Sequence, residues 1–253
     1  MLFRSEFVSG LELFRVNKLK APFGTRGRPD GRISLTGQSR SFAISPAATR
    51  AALGTVVRQQ SSVTGAVCAA LCLVARELFC PAPKAHRFIL VGSFDARPLL
   101  NLPTEALGYY ATYPKFPLEV SPTTDFWELA RRFHAGNQAY IETRAYAGME
   151  PGYYNEIASG FGALTKLLWV PGLWELSTAP GRLFMANFGV LESGIGRFKL
   201  RDVKILQDIP ALSIYSYVLD GSLRLQVCSP LPPEAADHFA GQIEKRLRVV
   251  LEH

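Results

Sequence analysis

The residues able to move a proton at neutral pH are few. Four histidines exist: His86, His134, His238 and His253. An imidazole acting as general base needs a neighbour that fixes its tautomer, usually a carboxylate. None of the four has one at motif spacing. His86 precedes an apolar run in a loop, His238 lies in a charged C-terminal helix, and His253 is the last residue. His134, in "ARRFHAGN", is the weak catalytic candidate, because a helix bordering a cleft can present it. The sequence has no G-x-x-x-x-G-K-[ST] loop, no G-x-G-x-x-G after a strand, no H-E-x-x-H and no G-x-S-x-G elbow. Cys68, Cys72, Cys80 and Cys228 form neither a C-x-x-C pair nor a Cys/His cluster with zinc spacing. No metal is expected, and no tightly bound cofactor.

Two other places invite a functional reading. In "RLFMANFGVLESGIG", Arg182 to Gly196, a buried-strand pattern stops at Asn187, Phe188 and Gly189. A glycine there suits a tight turn where a side chain would block a close backbone approach. A plain strand-ending turn is the alternative. In "VGSFDARPLL", Arg97 closes a strand two residues after Asp95. The alternative there is a surface arginine.

The bulk properties bound the class. A chain of 253 residues with 48% hydrophobic content can bury a sizeable core. The net charge of +7 comes from 28 basic and 21 acidic residues that are dispersed along the chain. Their densest group, "KLKAPFGTRGRPDGR", is a Gly/Pro-rich stretch read as a solvated loop with an anion contact as the alternative. No arginine-rich helix with interleaved aromatics points to nucleic acid. No signal peptide pattern opens the chain, and no uncharged apolar run approaches the roughly 18 residues of a membrane span. Cys68 and Cys72 lie in an apolar helical run as small core residues. A reducing, cytoplasmic location is the expectation.

The elements that must position these residues follow from periodicity. Residues 1–34 are a basic, loop-rich segment, and 35–253 form one folded unit. Phe42 to Ile44 reads as a strand. Ser45-Pro46 then caps a helix carrying Leu53, Val56 and Val57. A second helix opens near Thr64, apolar nearly all round and therefore central. "HRFILVGSFD" is a strand buried on both faces. "YYATYPKFPLEV" is an edge strand broken at Pro114 and Pro117. A helix capped by Thr124 or Asp125 turns Phe126, Leu129, Phe133 and Tyr140 inward. Residues 152–176 read as one or two helices. Strands follow near 182–188, 198–206, 211–219 and 222–228, with Asp220-Gly221 as a hairpin turn, and Pro232-Pro233 opens a final helix. The class is α/β (α+β), a mixed sheet with flanking helices.

This order of signals resembles the C-terminal lobe of the chloramphenicol-acetyltransferase-like proteins. That family includes alcohol acetyltransferases, condensation domains and polyketide-associated acyltransferases. The resemblance is carried by Thr64 with "GAVCAALCLVA", by "VGSFDARPLL" ending in Arg97, and by "LGYY" with Gly108. "FWELARRFHAGN", the closing "YVLDGSLRLQVCSPLPPEAADHFAGQIEKRLRVVL", and "MANFGVLE", which is similar to an S-N-x-G segment with Ala186 in place of Ser, complete it.

The resemblance implies an acyltransferase lobe that works with an acyl-CoA or acyl-carrier thioester and an alcohol or amine acceptor. Its catalytic histidine lies in an H-x-x-x-D motif of the other lobe. Neither His86, His134 nor His238 has Asp four residues on, so that base is expected on a missing N-terminal lobe. The chain alone is then inactive, as a truncated or split protein. Arg97, whose family counterpart pairs with the Asp of that motif, must find Asp95 or solvent instead. Asn187, Phe188 and Gly189 would border the thioester channel. The partners implied are the missing lobe, a second copy through the uncovered face, or an acidic acyl carrier protein suited to the positive charge. The alternative is a non-catalytic binding or assembly module derived from such a lobe.

Overall fold

The computed structural model describes residues 38–80, 83–95, 97, 100–103, 111–112, 114–143, 182–195, 198–205, 212–229 and 231–251. The expected N-terminal segment, Gly108 and the helices expected over 152–176 lie outside the described residues.

Strand β1 (Gln38–Ile44) runs into α1 (Pro46–Arg58), and α2 (Val63–Phe79) follows. Ser45 accepts a hydrogen bond from the Ala48 amide at 3.3 Å with Pro46 in the first turn, as the sequence predicts. Ser62 does the same for α2 through the Gly65 amide at 3.0 Å. Strands β2 (His86–Asp95), β3 (Ala111–Thr112) and β4 (Lys115–Val120) come next, then α3 (Phe126–Glu142). Asp125 caps α3 by accepting from the Glu128 amide at 2.8 Å. The chain closes with β5 (Arg182–Leu191), a small β6 (Gly194–Ile195) and β7 (Phe198–Lys199) ribbon, β8 (Leu212–Leu219), β9 (Ser222–Ser229) and α4 (Pro233–Leu251).

The main sheet is mixed, as expected. Its order is β1-β9-β8-β5-β2-β3, with β4 also on β2. The three central strands β2, β5 and β8 are parallel neighbours, and the outer pairs are antiparallel. Pro117 is tolerated because β4 pairs only with β2 among the described strands. Asp220 and Gly221 make the predicted two-residue turn with φ of 51° and 75°, values that suit the twist of a hairpin.

The core lies between the sheet and α2. Every residue from Gly65 to Arg76 is buried. Against that helix pack Leu90, Leu183 and Ile214 of the sheet, Leu129 and Phe133 of α3, and Phe239 and Ile243 of α4. Each such side chain contributes roughly 1.5–3 kcal/mol on leaving water. A Cβ on Gly65 would meet the Ala130 carbonyl oxygen at 2.7 Å, so α2 and α3 cross closely there. The inward set expected on α3 holds, with Leu129 and Phe133 fully buried and Phe126 and Tyr140 partly so. The expected two-sided burial of β2 holds only in its middle, since Arg87 and Asp95 are exposed.

One element is corrected. The strand expected over 198–206 shrinks to β7. Residues 201–205 form no regular element and hold to the sheet face opposite the helices through side chains. Tyr217 Oη donates within reach of Asp202 Oδ1 at 2.9 Å and the Val203 carbonyl at 3.0 Å. Arg224 donates to the Arg201 carbonyl at 2.9 Å. The buried Gln226 mimics a peptide, accepting from the Ile205 amide at 2.8 Å and donating to its carbonyl at 2.7 Å. Residues 201–205 are not a strand because the partners of their backbone are side chains.

Candidate active site at the carboxyl ends of the parallel strands

In open α/β sheets ligands sit where parallel strands end. Here β2, β5 and β8 end on one edge, and the first turn of α2 arrives at the same edge. Asn187 makes the junction. Its Nδ2 donates to Thr64 Oγ1 at 2.9 Å, and its Oδ1 accepts from the Gly189 amide at 3.0 Å. The strand does not stop at Asn187, as the sequence suggested. Pairing with β8 resumes at Val190 after a bulge in which Phe188 and Gly189 oppose Tyr217 alone. The reason for glycine also differs from the expected one. A Cβ at Gly189 meets nothing within 4 Å, whereas its φ of +68° is the left-handed region.

The bulge exposes apolar surface on both sides of β5. Phe188 is 49% and Val190 79% exposed. The Phe188 ring stacks on Tyr215 of β8 at 6.3 Å. Leu100, 42% exposed, sits in the turn that follows β2, where its amide bonds the Arg97 carbonyl at 3.1 Å.

Arg97 meets Asp95 at the end of β2. Its Nε donates to both carboxylate oxygens at 3.0 Å, its Nη2 to Oδ2 at 2.8 Å, and its backbone amide to Oδ1 at 3.0 Å. Those side-chain hydrogen bonds, helped by the guanidinium charge, hold the Asp95 carboxyl below the usual carboxylate range. The within-chain partner expected for Arg97 is therefore present.

The structure brings Thr64, Asn187, Phe188, Gly189, Asp95 and Arg97 to one edge. The described histidines are not brought there with a bracing carboxylate. His134 is half-buried on α3 and forms no hydrogen bond or ion pair among the described residues. His238 is exposed on α4. His86 opens β2, about 30 Å of extended strand from Asp95. Burial pushes the Cys72 thiol up to about 12 and raises Cys68 well above its ordinary range, so neither is a nucleophile. Among the described residues no cluster of His, Cys, Asp and Glu could hold a metal ion.

Sequence reasoning missed Tyr215 and Ser216. Ser216 pairs with Asn187 in register and is fully buried, and its Oγ finds no hydrogen-bond partner among the described residues. Nothing local in "SIYSYV" marks it, because its significance comes from the neighbouring strand.

No family profile matches this sequence, and no curated protein matches it. Solved structures do. Polyketide synthase associated protein 5 from Mycobacterium tuberculosis is 18% identical with a TM-score of 0.58, over 85% of this chain and 51% of that one. The trichothecene 15-O-acetyltransferase of Fusarium sporotrichioides is 13% identical with a TM-score of 0.64, over 85% and 47%. A condensation domain mediating chain release from the enacyloxin polyketide synthase gives 14% and 0.55, over 90% and 44%. This is the condensation-domain acyltransferase fold. The chain spans about half the length of these matched structures. No single described helix is long and apolar enough to cross a membrane.

Proposed function

We propose that this chain is the C-terminal half of an acyltransferase that moves an acyl group from a CoA or carrier-protein thioester to an alcohol or amine. The observation that carries the reading is a fold shared with such proteins over only half their length, joined to a strand-end site in which no described histidine is braced by a carboxylate. The general base, worth about 10²–10⁴-fold in rate, comes from an H-x-x-x-D lobe outside this chain. Asn187, Phe188 and Gly189 border the thioester channel, with Thr64 holding Asn187 in place. The apolar surface at Leu100, Phe188 and Val190 faces the partner lobe. Arg97 trades Asp95 for the carboxylate of that lobe. The +7 charge suits an acidic acyl carrier as donor.

The second reading, a binding or assembly module without catalysis, is favoured by one feature. Arg97 is already chelated within the chain and needs no second lobe.

Reconstitution separates the two. The purified chain alone is expected to show no transfer from an acyl thioester, and a polypeptide bearing the H-x-x-x-D lobe restores it. Restored turnover that survives removal of that lobe's histidine, or robust turnover by the chain alone that His134→Ala abolishes, overturns the first reading. No turnover with a lobe that binds tightly supports the second.

A further inference from the structure

Strand β1 is the outermost strand on its side of the sheet among the described residues. An edge strand presents unpaired N–H and C=O groups that can pair with another chain. In an antiparallel pair alternate residues turn these groups outward. The phase is set here by two carbonyls that face away from β9. Arg40 Nη1 donates to the Ser39 carbonyl at 3.1 Å, and Arg248 Nη2 of α4 reaches over the edge to the Ala43 carbonyl at 2.9 Å. Ser39, Ser41 and Ala43 are thus the outward-facing residues, and two of their three carbonyls are taken by guanidinium groups.

Both arginines are anchored by carboxylates of the same helix. Arg40 is paired with Asp237, its Nη2 lying 3.0 Å from Oδ2. Glu244 accepts from Arg248 Nε at 3.0 Å and Nη2 at 2.7 Å. Charge-assisted donors held this way fill the carbonyls and place positive charge where a strand would enter.

We infer that Arg40 and Arg248 guard β1 against pairing with a second copy of this chain. The second copy is the occupant because the strand is self-complementary. Antiparallel pairing centred on Ser41 puts Ser41 opposite Ser41, Ser39 opposite Ala43, and Arg40 opposite Phe42. Outward groups meet, no like charges face each other, and the small exposed Ser39, Ser41 and Ala43 side chains allow close approach. The guard is independent of the acyltransferase reading and lies on the sheet edge away from the strand-end site.

The test uses the full chain with Cys80→Ser and Ser41→Cys, labelled with pyrene at position 41. Excimer emission reports β1 meeting β1, not contact through the apolar strand-end surface. The guarded chain is expected to show monomer emission. Arg40→Ser with Arg248→Ser is expected to give a concentration-dependent excimer, with self-association at least about tenfold tighter, equivalent to about 1.4 kcal/mol. Strong excimer in the guarded chain, or none in a double variant with native circular dichroism, overturns the inference. If the double variant does not fold, Asp237→Asn with Glu244→Gln frees the guards while keeping both arginines. An excimer then supports the inference, and its absence overturns it.

Discussion

Asn187 Nδ2 lies 2.9 Å from Thr64 Oγ1, joining residues 123 apart in sequence. The bond fastens the first turn of the buried helix α2 to the bulge of β5. The same amide holds the Gly189 amide at 3.0 Å, so one side chain sets both the helix position and the bulge shape. The contact is solvent-exposed, which limits its worth to about 0.5–1.5 kcal/mol. Thr64→Val and Asn187→Ala should each lower stability by about that much, and the double variant by less than the sum. Thr64→Ser should keep most of the bond. Denaturant titrations of the four-member cycle decide the matter: strict additivity means that the two side chains do not act on each other.

Gly189 tests why the bulge needs glycine. Its φ is +68°, yet an added Cβ meets open space. Gly189→Ala should therefore cost only the backbone term, about 1 kcal/mol. Gly189→Asn should cost less, since Asn tolerates the left-handed region. A loss several times larger for alanine, read from the unfolding midpoint, would point to a hidden steric partner instead.

The central helix and its neighbours were readable because their signals are local. Ser45-Pro46 and Asp125 are caps whose chemistry is complete within four residues, and Asp220-Gly221 carries its turn geometry in its own residue types. The bulge was half readable. "NFG" announced a break in a strand, but its continuation to Leu191 depends on β8, which no window around residue 188 contains. The segment 201–205 misled because its residue types do not say which groups supply the backbone hydrogen bonds. Gln226, Tyr217 and Arg224 supply them from the far side of the sheet. At the site, Arg97 and Asp95 were legible as a pair two residues apart. Ser216 was not, because only strand register sets it beside Asn187. Gly65 was legible as a small residue in an apolar helix, but its close crossing with Ala130 was not.

The two core cysteines should be chemically silent. Cys68 and Cys72 are fully buried on α2, and desolvation raises both thiols, Cys72 to about 12. The thiolate is the reactive form. In native protein at pH 8, iodoacetamide should leave both unmodified, while unfolding in denaturant exposes them. Mass spectrometry of the labelled peptides checks this, and native-state modification at either position would mean that α2 opens locally.

His86 gives the fold an acid sensitivity whose sign can be worked out. Its ring packs on Phe88 at 4.6 Å, and its Nε2 is buried with no hydrogen-bond partner among the described residues. Burial, then the nearby charge of the buried Arg76 on α2, lowers its pKa from the ordinary 6.5. Below pH 6.5 the unfolded chain takes up a proton that the folded chain resists. Stability is therefore fully present above the unfolded value and falls as the pH drops below it, levelling once the folded ring also titrates. His86→Phe keeps the contact with Phe88 and removes the titration. Melting temperatures between pH 7 and roughly pH 5 should decline more steeply for the wild-type chain than for this variant. Parallel curves would show that His86 is already solvated in the folded state and that the acid response, if any, originates at other groups.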